Sequence, residues 1–210
     1  MKVLLIADSP EFEFDYISRR SGDFDCVIVT DGAVHKLPGS VRPTIVCGDF
    51  DSIDLTLAQS LHASAEFLRL EDQEQNDLEK AVVLAIARGA SEIVLVSALG
   101  GRPDVALANL AVLVRHHVTC ALSIVARGMI TRVVSSRAER SRALSFDAPA
   151  GSTISCIAFE GDSVVSMSNV KWPLSHGALR AGSHGVSNEA LGGRVEICVH
   201  EGLALVSHEL

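Results

Sequence analysis

Two aspartates stand two residues apart in Gly48-Asp49-Phe50-Asp51-Ser52, directly after the apolar run Thr44–Cys47. On an extended backbone, residues i and i+2 project to one side, so both carboxylates would face the same way. Adjacent carboxylates repel, and a hard divalent cation relieves that repulsion. A metal site is the sharper reading, and a solvated turn the plainer one. Three more polar clusters follow apolar runs: Asp31-Gly32-Ala33, Glu71 through Asp77, and Gly100-Gly101-Arg102-Pro103-Asp104. A lone Asp-Gly is most often a turn. Four such clusters at the ends of successive runs point to one shared edge.

The third cluster contains Asp72, Glu74 and Asp77. Asn76 and Glu79 are spaced as a capping box that would start a helix and place Asp77 in its first turn. Lys80 follows one turn on and could reach a phosphate or pair with a nearby acid. Gly100-Gly101-Arg102 offers a flexible turn and a guanidinium fork beside a helix N-terminus, a cradle for phosphate. Pro103 suits the first helical position. Asn109 interrupts an apolar helix, either as a satisfied core amide or as a ligand contact. Carboxylates for a magnesium-like ion and an Arg-bearing glycine loop suggest phosphoryl-type transfer from a nucleotide. The chain has no GxxxxGK[ST] motif and no GxGxxG after its first apolar run, which argues against a P-loop or a dinucleotide site.

The elements that must carry these residues are short apolar runs: Val3–Ala7, Cys26–Thr30, Thr44–Cys47, Glu66–Leu70, Glu92–Ser97 and Ala121–Ala126. Apolar at successive positions, they suit strands buried on both faces. Helical patterns lie between them, weak over Leu55–Ala63 and strong over Asp77–Arg88 and Asp104–His116. The alternation predicts an α/β domain with a mostly parallel sheet over residues 1–128, whose strand ends bind the ligand. Over residues 129–210 no helical pattern stands out. The β-rich runs Ile130–Val134, Thr153–Phe159, Ser163–Met167, Arg194–Val199 and Leu203–Ser207 predict a smaller all-β sandwich.

Composition narrows the partners. Lys plus Arg total 18 against 26 Asp plus Glu, a net charge of −8, which argues against a nucleic-acid binder. The longest nearly unbroken apolar run, Val105 to Val114, is about half of the ~20 residues that a membrane span needs. The N-terminal run is short for a signal-peptide core and reads as a strand. Cys26, Cys47, Cys120, Cys156 and Cys198 are scattered in apolar stretches without metal-ligand spacing. They read as small buried hydrophobes in a reducing, cytoplasmic setting.

Taken in order, the motifs resemble those of the thiamine pyrophosphokinase family: a DGA turn, GDxDS, DxxxTDxxKA, GGRxDHxxxN, and a later GLKWxL followed by SN. Here they stand as Asp31-Gly32-Ala33, Gly48 through Ser52, Asp72 through Ala81, Gly100 through Asn109, Asn169 through Leu174, and Ser187-Asn188. The resemblance implies a nucleotide- and Mg²⁺-binding N-terminal domain, a thiamine-binding and dimerising sandwich, and a homodimer with sites at the subunit interface. It implies transfer of the pyrophosphoryl group from ATP to the thiamine hydroxyl, with release of AMP. By position, Asp49, Asp51 and Asp77 correspond to magnesium carboxylates, and Asp31 and Asp72 join the same acidic cluster. Gln73, Lys80 and Arg102 correspond to nucleotide-phosphate contacts, with Asp104 and Asn109 in the same motif. Trp172, Ser187 and Asn188 fall on the thiamine side.

Two positions depart from the pattern. Asn76 replaces a Thr that could cap the same helix, and Val105 replaces a His, removing a hydrogen-bonding ring. Trp172, the only tryptophan, reads on composition alone as a packing residue and under the resemblance as a stacking face. His176 and His184 fall in a Gly- and Ser-rich stretch without an assigned role. Three other functions compete. A haloacid-dehalogenase-type phosphatase would share Asp49-Phe50-Asp51-Ser52 but lacks the downstream acidic pair. A pyrophosphokinase acting on a pterin alcohol would share the architecture. A catalytically weakened nucleotide- or thiamine-binding protein would have no need to crowd carboxylates.

Overall fold

The computed structural model describes residues 1–51, 53–72 and 74–210, so Ser52 and Gln73 lie outside the described residues. The chain divides into two compact units, Met1–Arg127 and Gly128–Leu210.

In the first unit, six strands pair in parallel: β1 (Lys2–Ile6), β2 (Cys26–Thr30), β3 (Ile45–Gly48), β4 (Glu66–Arg69), β5 (Glu92–Val96) and β6 (Ala121–Ala126). Their spatial order is β6-β5-β1-β2-β3-β4. The connections after β1 and β5 therefore run in opposite directions, and the crevice at the carboxyl ends of these two strands is the topological switch point where such sheets take ligands. The strands are Val- and Ile-rich because helices cover the sheet, and every residue of β2 is buried. The helices are α1 (Phe14–Arg20), α2 (Leu55–Leu61), α3 (Asp77–Ala87) and α4 (Pro103–His116). Pro103 opens α4 at a position that needs no N–H. Gly89 follows α3 with a positive φ, as a helix stop.

The second unit is a β-sandwich. One sheet is built from β7 (Met129–Ser135), β9 (Thr153–Ala158), β12 (Asn188–Glu189) and β14 (Leu203–Glu209), in the order β12-β9-β14-β7. The other is built from β8 (Ala143–Ala148), β10 (Ser163–Ser168), β11 (Leu174–Leu179) and β13 (Gly193–Glu201), in the order β11-β10-β13-β8. All pairings within these sheets are antiparallel. Inward residues of both sheets, including Ile154, Cys156, Val165, Ile197 and Val206, form one core. Phe146 of β8 stacks on His208 of β14, ring centroids 3.7 Å apart.

The expected α/β unit followed by a smaller sandwich is what the chain forms. Apart from the two-residue β12, one helix and two strands escaped the sequence patterns. Helix α1 buries only Ile17, and the alternation Glu11-Phe12-Glu13-Phe14 just before and into it imitates a strand. Strands β8 and β11 expose Ser, Asp and His, and β11 has a glycine opposite the buried Val165, so they lack a dense apolar run. Four cysteines are buried, with burial pushing the Cys47 and Cys156 thiols up to about 12, while Cys198 is half-buried; none is disulfide-bonded.

Candidate active site

Asp31 follows β2 and is 4% exposed. Its Oδ1 accepts from the Gly32 amide and its Oδ2 from the Phe50 amide, both at 2.8 Å. Burial raises its carboxyl above the ordinary range; the two amide bonds oppose this, and the charges of Asp77 and Asp49 add to it. The carboxylate lies against the backbone of β3: a Cβ on Gly48 would fall 2.3 Å from the Asp31 Cγ. Only glycine leaves that space.

Asp31, Asp49 and Asp51 each bring a carboxylate oxygen to within 4.8 Å of the others. The convergence of Asp49 and Asp51 has a different origin from the strand alternation expected above. Strand β3 ends at Gly48, Phe50 turns left-handed with φ 62, and the Asp51 amide donates to Asp49 Oδ1 at 3.1 Å. A tight turn, not an extended backbone, aims the two side chains together. The bonds from Asp51 hold Asp49 below the ordinary carboxylate range, and the shared bond with Asp49 and its charge hold Asp51 above it. The two titrate as a pair, one proton being kept back by mutual repulsion.

Beside this trio, Asp8, Asp31, Asp77, Asn76, Val105 and Asn109 help to line a cavity of about 200 Å³ at the switch point. Asn76 caps α3, accepting from the Glu79 amide at 2.9 Å. The expected capping box is only half formed: the Glu79 carboxylate turns instead to Arg115 at 3.0 Å and His116 at 3.2 Å. The Asn76 Nδ2 donates to Asn109 Oδ1 at 3.0 Å, and Asn109 Nδ2 donates to the Ala98 carbonyl at 2.7 Å. Asn109 is thus a satisfied buried amide that fixes the start of α3 to the end of β5. Asn76, at a position of departure from the family pattern, supplies the donor of that chain. Lys80 is buried, and its ammonium reaches Asp77 Oδ1 at 3.1 Å and the Leu70 carbonyl at 3.5 Å.

Other expected site residues stand apart from the cavity lining. Arg102 lies in solvent and forks onto Asp104 at 2.5 and 3.1 Å. The Gly100-Gly101 turn serves close packing: a Cβ on Gly100 would lie 2.3 Å from Ser9 Oγ, and one on Gly101 2.9 Å from Pro10 Cδ. Asp72 accepts from the Glu74 amide at 2.8 Å in an exposed turn. Gln73 lies outside the described residues. The motif reading missed Asp8, which lines the cavity at the end of β1 and pairs with Lys36. Its position directly after the first apolar run was the available signal.

In the sandwich, Trp172 is 57% exposed and lies outside the core, which removes the packing reading. Its amide donates to Asn188 Oδ1 at 3.1 Å, and Asn188 Nδ2 returns a bond to the Trp172 carbonyl at 2.9 Å. Trp172 and Asn188 line a second cavity of about 290 Å³ with Met167, Leu174, Val186 and His184. Ser187 takes a left-handed turn, φ 58, and its amide bonds Ser155 Oγ at 3.1 Å.

Comparison with known families defines the class first. Residues 19–124 match the model described as thiamin pyrophosphokinase, catalytic domain, and residues 142–204 match thiamin pyrophosphokinase, vitamin B1 binding domain. This is a kinase-type transferase with separate catalytic and vitamin-binding domains. The chain belongs to the thiamin pyrophosphokinase family, as its motifs indicated. Solved structures share the fold: a thiamine pyrophosphokinase from Bacillus subtilis has a TM-score of 0.84 at 21% identity, covering 100% of this chain and 99% of that one. One from Geobacillus thermodenitrificans has a TM-score of 0.81 at 23% identity, covering 100% and 98%. One from Candida albicans has a TM-score of 0.80 at 12% identity, covering 100% and 88%. Among curated protein sequences none matches.

Proposed function

We propose that the enzyme transfers the pyrophosphoryl group of ATP to the hydroxyl of thiamine, giving thiamine diphosphate and AMP. The hydroxyl oxygen forms a bond to the β-phosphorus, the bridge to the α-phosphorus breaks, AMP leaves with the bridging oxygen, and the hydroxyl proton passes to water. The observation that carries this reading is the convergence of Asp31, Asp49 and Asp51 at the carboxyl edge of a domain that matches a catalytic family model. The match of the second unit to a vitamin B1-binding domain favours thiamine over a pterin alcohol.

The carboxylate trio fits Mg²⁺: its donors are all hard oxygens, and the Asp49 charge holds Asp51 above the ordinary carboxylate range. Asp49 and Asp51 would hold the ion, with Asp31 adjoining and Asp77 poised on the helix start beside it. When bound, the ion supplies neutralisation of phosphate charge. Lys80, held at Asp77, offers a fixed cation for a phosphate oxygen. Arg102 would exchange Asp104 for nucleotide phosphate, a change its exposure permits. Asn109 and Asn76 act by positioning α3. We further propose a homodimer working in the cytoplasm, where five reduced thiols persist; an active monomer in light scattering at assay concentration contradicts the dimer.

The exposed indole of Trp172 gives a direct test of the substrate. Thiamine titrated into the enzyme should change the intrinsic fluorescence saturably, and the signal belongs to one residue because the chain has one tryptophan. Trp172→Ala should raise the Michaelis constant for thiamine about five- to thirty-fold, the equivalent of ~1–2 kcal/mol of stacking. The constant for ATP and the melting temperature should hardly move. An unchanged thiamine constant together with no fluorescence response would remove this pocket from the site.

A further inference from the structure

Two side-chain donors of the second cavity have no partner among the described residues, the Trp172 Nε1–H and one ring nitrogen of His184. The Arg180 amide donates to His184 Nδ1 at 3.1 Å. An accepting Nδ1 carries no proton, so the neutral ring bears its hydrogen on Nε2. That N–H has no partner among the described residues. Asn188, also in the lining, is already committed: its Oδ1 accepts from the Trp172 and Glu189 amides, and its Nδ2 donates to the Trp172 carbonyl. Met167, Leu174, Leu179 and Val186 make the rest of the wall apolar.

The loop that carries His184 is held in place. The Gly185 carbonyl accepts from the Cys156 amide at 2.9 Å. Gly185 has φ 88, and a Cβ there would fall 2.2 Å from the Cys156 carbonyl oxygen. The loop therefore sits directly on β9, and His184 is presented on a fixed backbone rather than on a free one.

Resting on the thiamine reading above, we propose that His184 is a specificity-determining residue that donates its Nε2–H to a ring nitrogen of the aminopyrimidine, while Trp172 covers the ring face. The Trp172 N–H lies in the plane of the indole and cannot reach the edge of a ring stacked on it, so His184 is the donor for that edge, and such a donor in a mostly apolar cavity selects a flat heteroaromatic ring that presents an acceptor there. The aminopyrimidine has such nitrogens, and the thiazolium has none. The thiazolium and its hydroxyethyl arm are then left free to extend out of the cavity.

The test compares thiamine with an analogue whose pyrimidine ring nitrogens are replaced by C–H, on the wild type, His184→Ala and His184→Gln, with melting temperature as the folding control. His184→Ala should raise the thiamine constant about five- to ten-fold, one neutral hydrogen bond, without moving the ATP constant. His184→Gln, which keeps an N–H donor, should recover most of the loss. The analogue should lose affinity on the wild type and lose little more on His184→Ala. Equal losses on both, or a wild-type thiamine constant in His184→Ala, would overturn the role of His184 while leaving thiamine as substrate. Absence of any thiamine binding or turnover by the wild-type enzyme would overturn the substrate reading and this proposal with it.

Discussion

Replacing Asp49 or Asp51 by Asn should lower turnover by at least about 10²-fold while leaving the fold intact. Loss of a residue that merely orients a metal ligand costs ~10–100-fold, so loss of a ligand itself should exceed that range. The substitution is nearly isosteric, and with Asp51 exposed and Asp49 half-buried, no core packing depends on either side chain. It also removes one of two charges that repel each other, so melting temperature without metal should hold steady or rise. In Asp49→Asn the Asp51 amide can still donate to the side-chain oxygen of the introduced asparagine, so the turn survives. Turnover within a few-fold of wild type at saturating Mg²⁺ would exclude these carboxylates from the proposed metal site. A large fall in melting temperature would show instead that they hold the turn together.

The second large effect lies behind the trio. Gly48→Ala should cost about 2–4 kcal/mol of stability and most of the activity, because its methyl would occupy the Asp31 carboxylate, 2.3 Å from Cγ and 2.5 Å from Oδ2. Asp31 must then move off the Phe50 and Gly32 amides, losing two hydrogen bonds to a charged group at ~1.5–3 kcal/mol each, part of which water restores. The clash also sets a relation between variants. In an Asp31→Ala background the methyl has room, so adding Gly48→Ala should cost clearly less than it does in the wild type. Thermal denaturation of the four proteins gives the comparison. Costs that simply add would place the strain of Gly48→Ala elsewhere in the backbone.

The fold was readable where burial on both sides made apolar residues contiguous. Val27, Ile28 and Val29 on β2 and Ile93 through Val96 on β5 announce themselves, and so does the helix that Asn76 caps. Helix α1 was hidden because a single residue, Ile17, anchors it. Strand β11 was hidden because Ser175, His176 and Gly177 carry no hydrophobic signal. For the site, residue types pointed correctly to a carboxylate cluster, but the geometry needed the structure. Nothing in the local spacing shows that Phe50 turns left-handed, nor that Asp31 reaches across to the Phe50 amide. The Gly100-Gly101 pair looked like a phosphate cradle, although packing against Ser9 and Pro10, far earlier in the chain, accounts for both glycines. Asn109 could not be assigned because its partners, Asn76 and Ala98, become neighbours only through tertiary structure. Trp172 gains a functional meaning only from the ordered motifs, and its exposure speaks only against the packing reading.

Transfer of two phosphoryl units in one step is tested most directly by incubating the enzyme with thiamine, Mg²⁺ and ATP labelled at the β-phosphorus, and separating all products. AMP without label and labelled thiamine diphosphate, in equal amounts, are the products expected. Formation of ADP with thiamine monophosphate, or of inorganic phosphate without any thiamine ester, would contradict one-step pyrophosphoryl transfer.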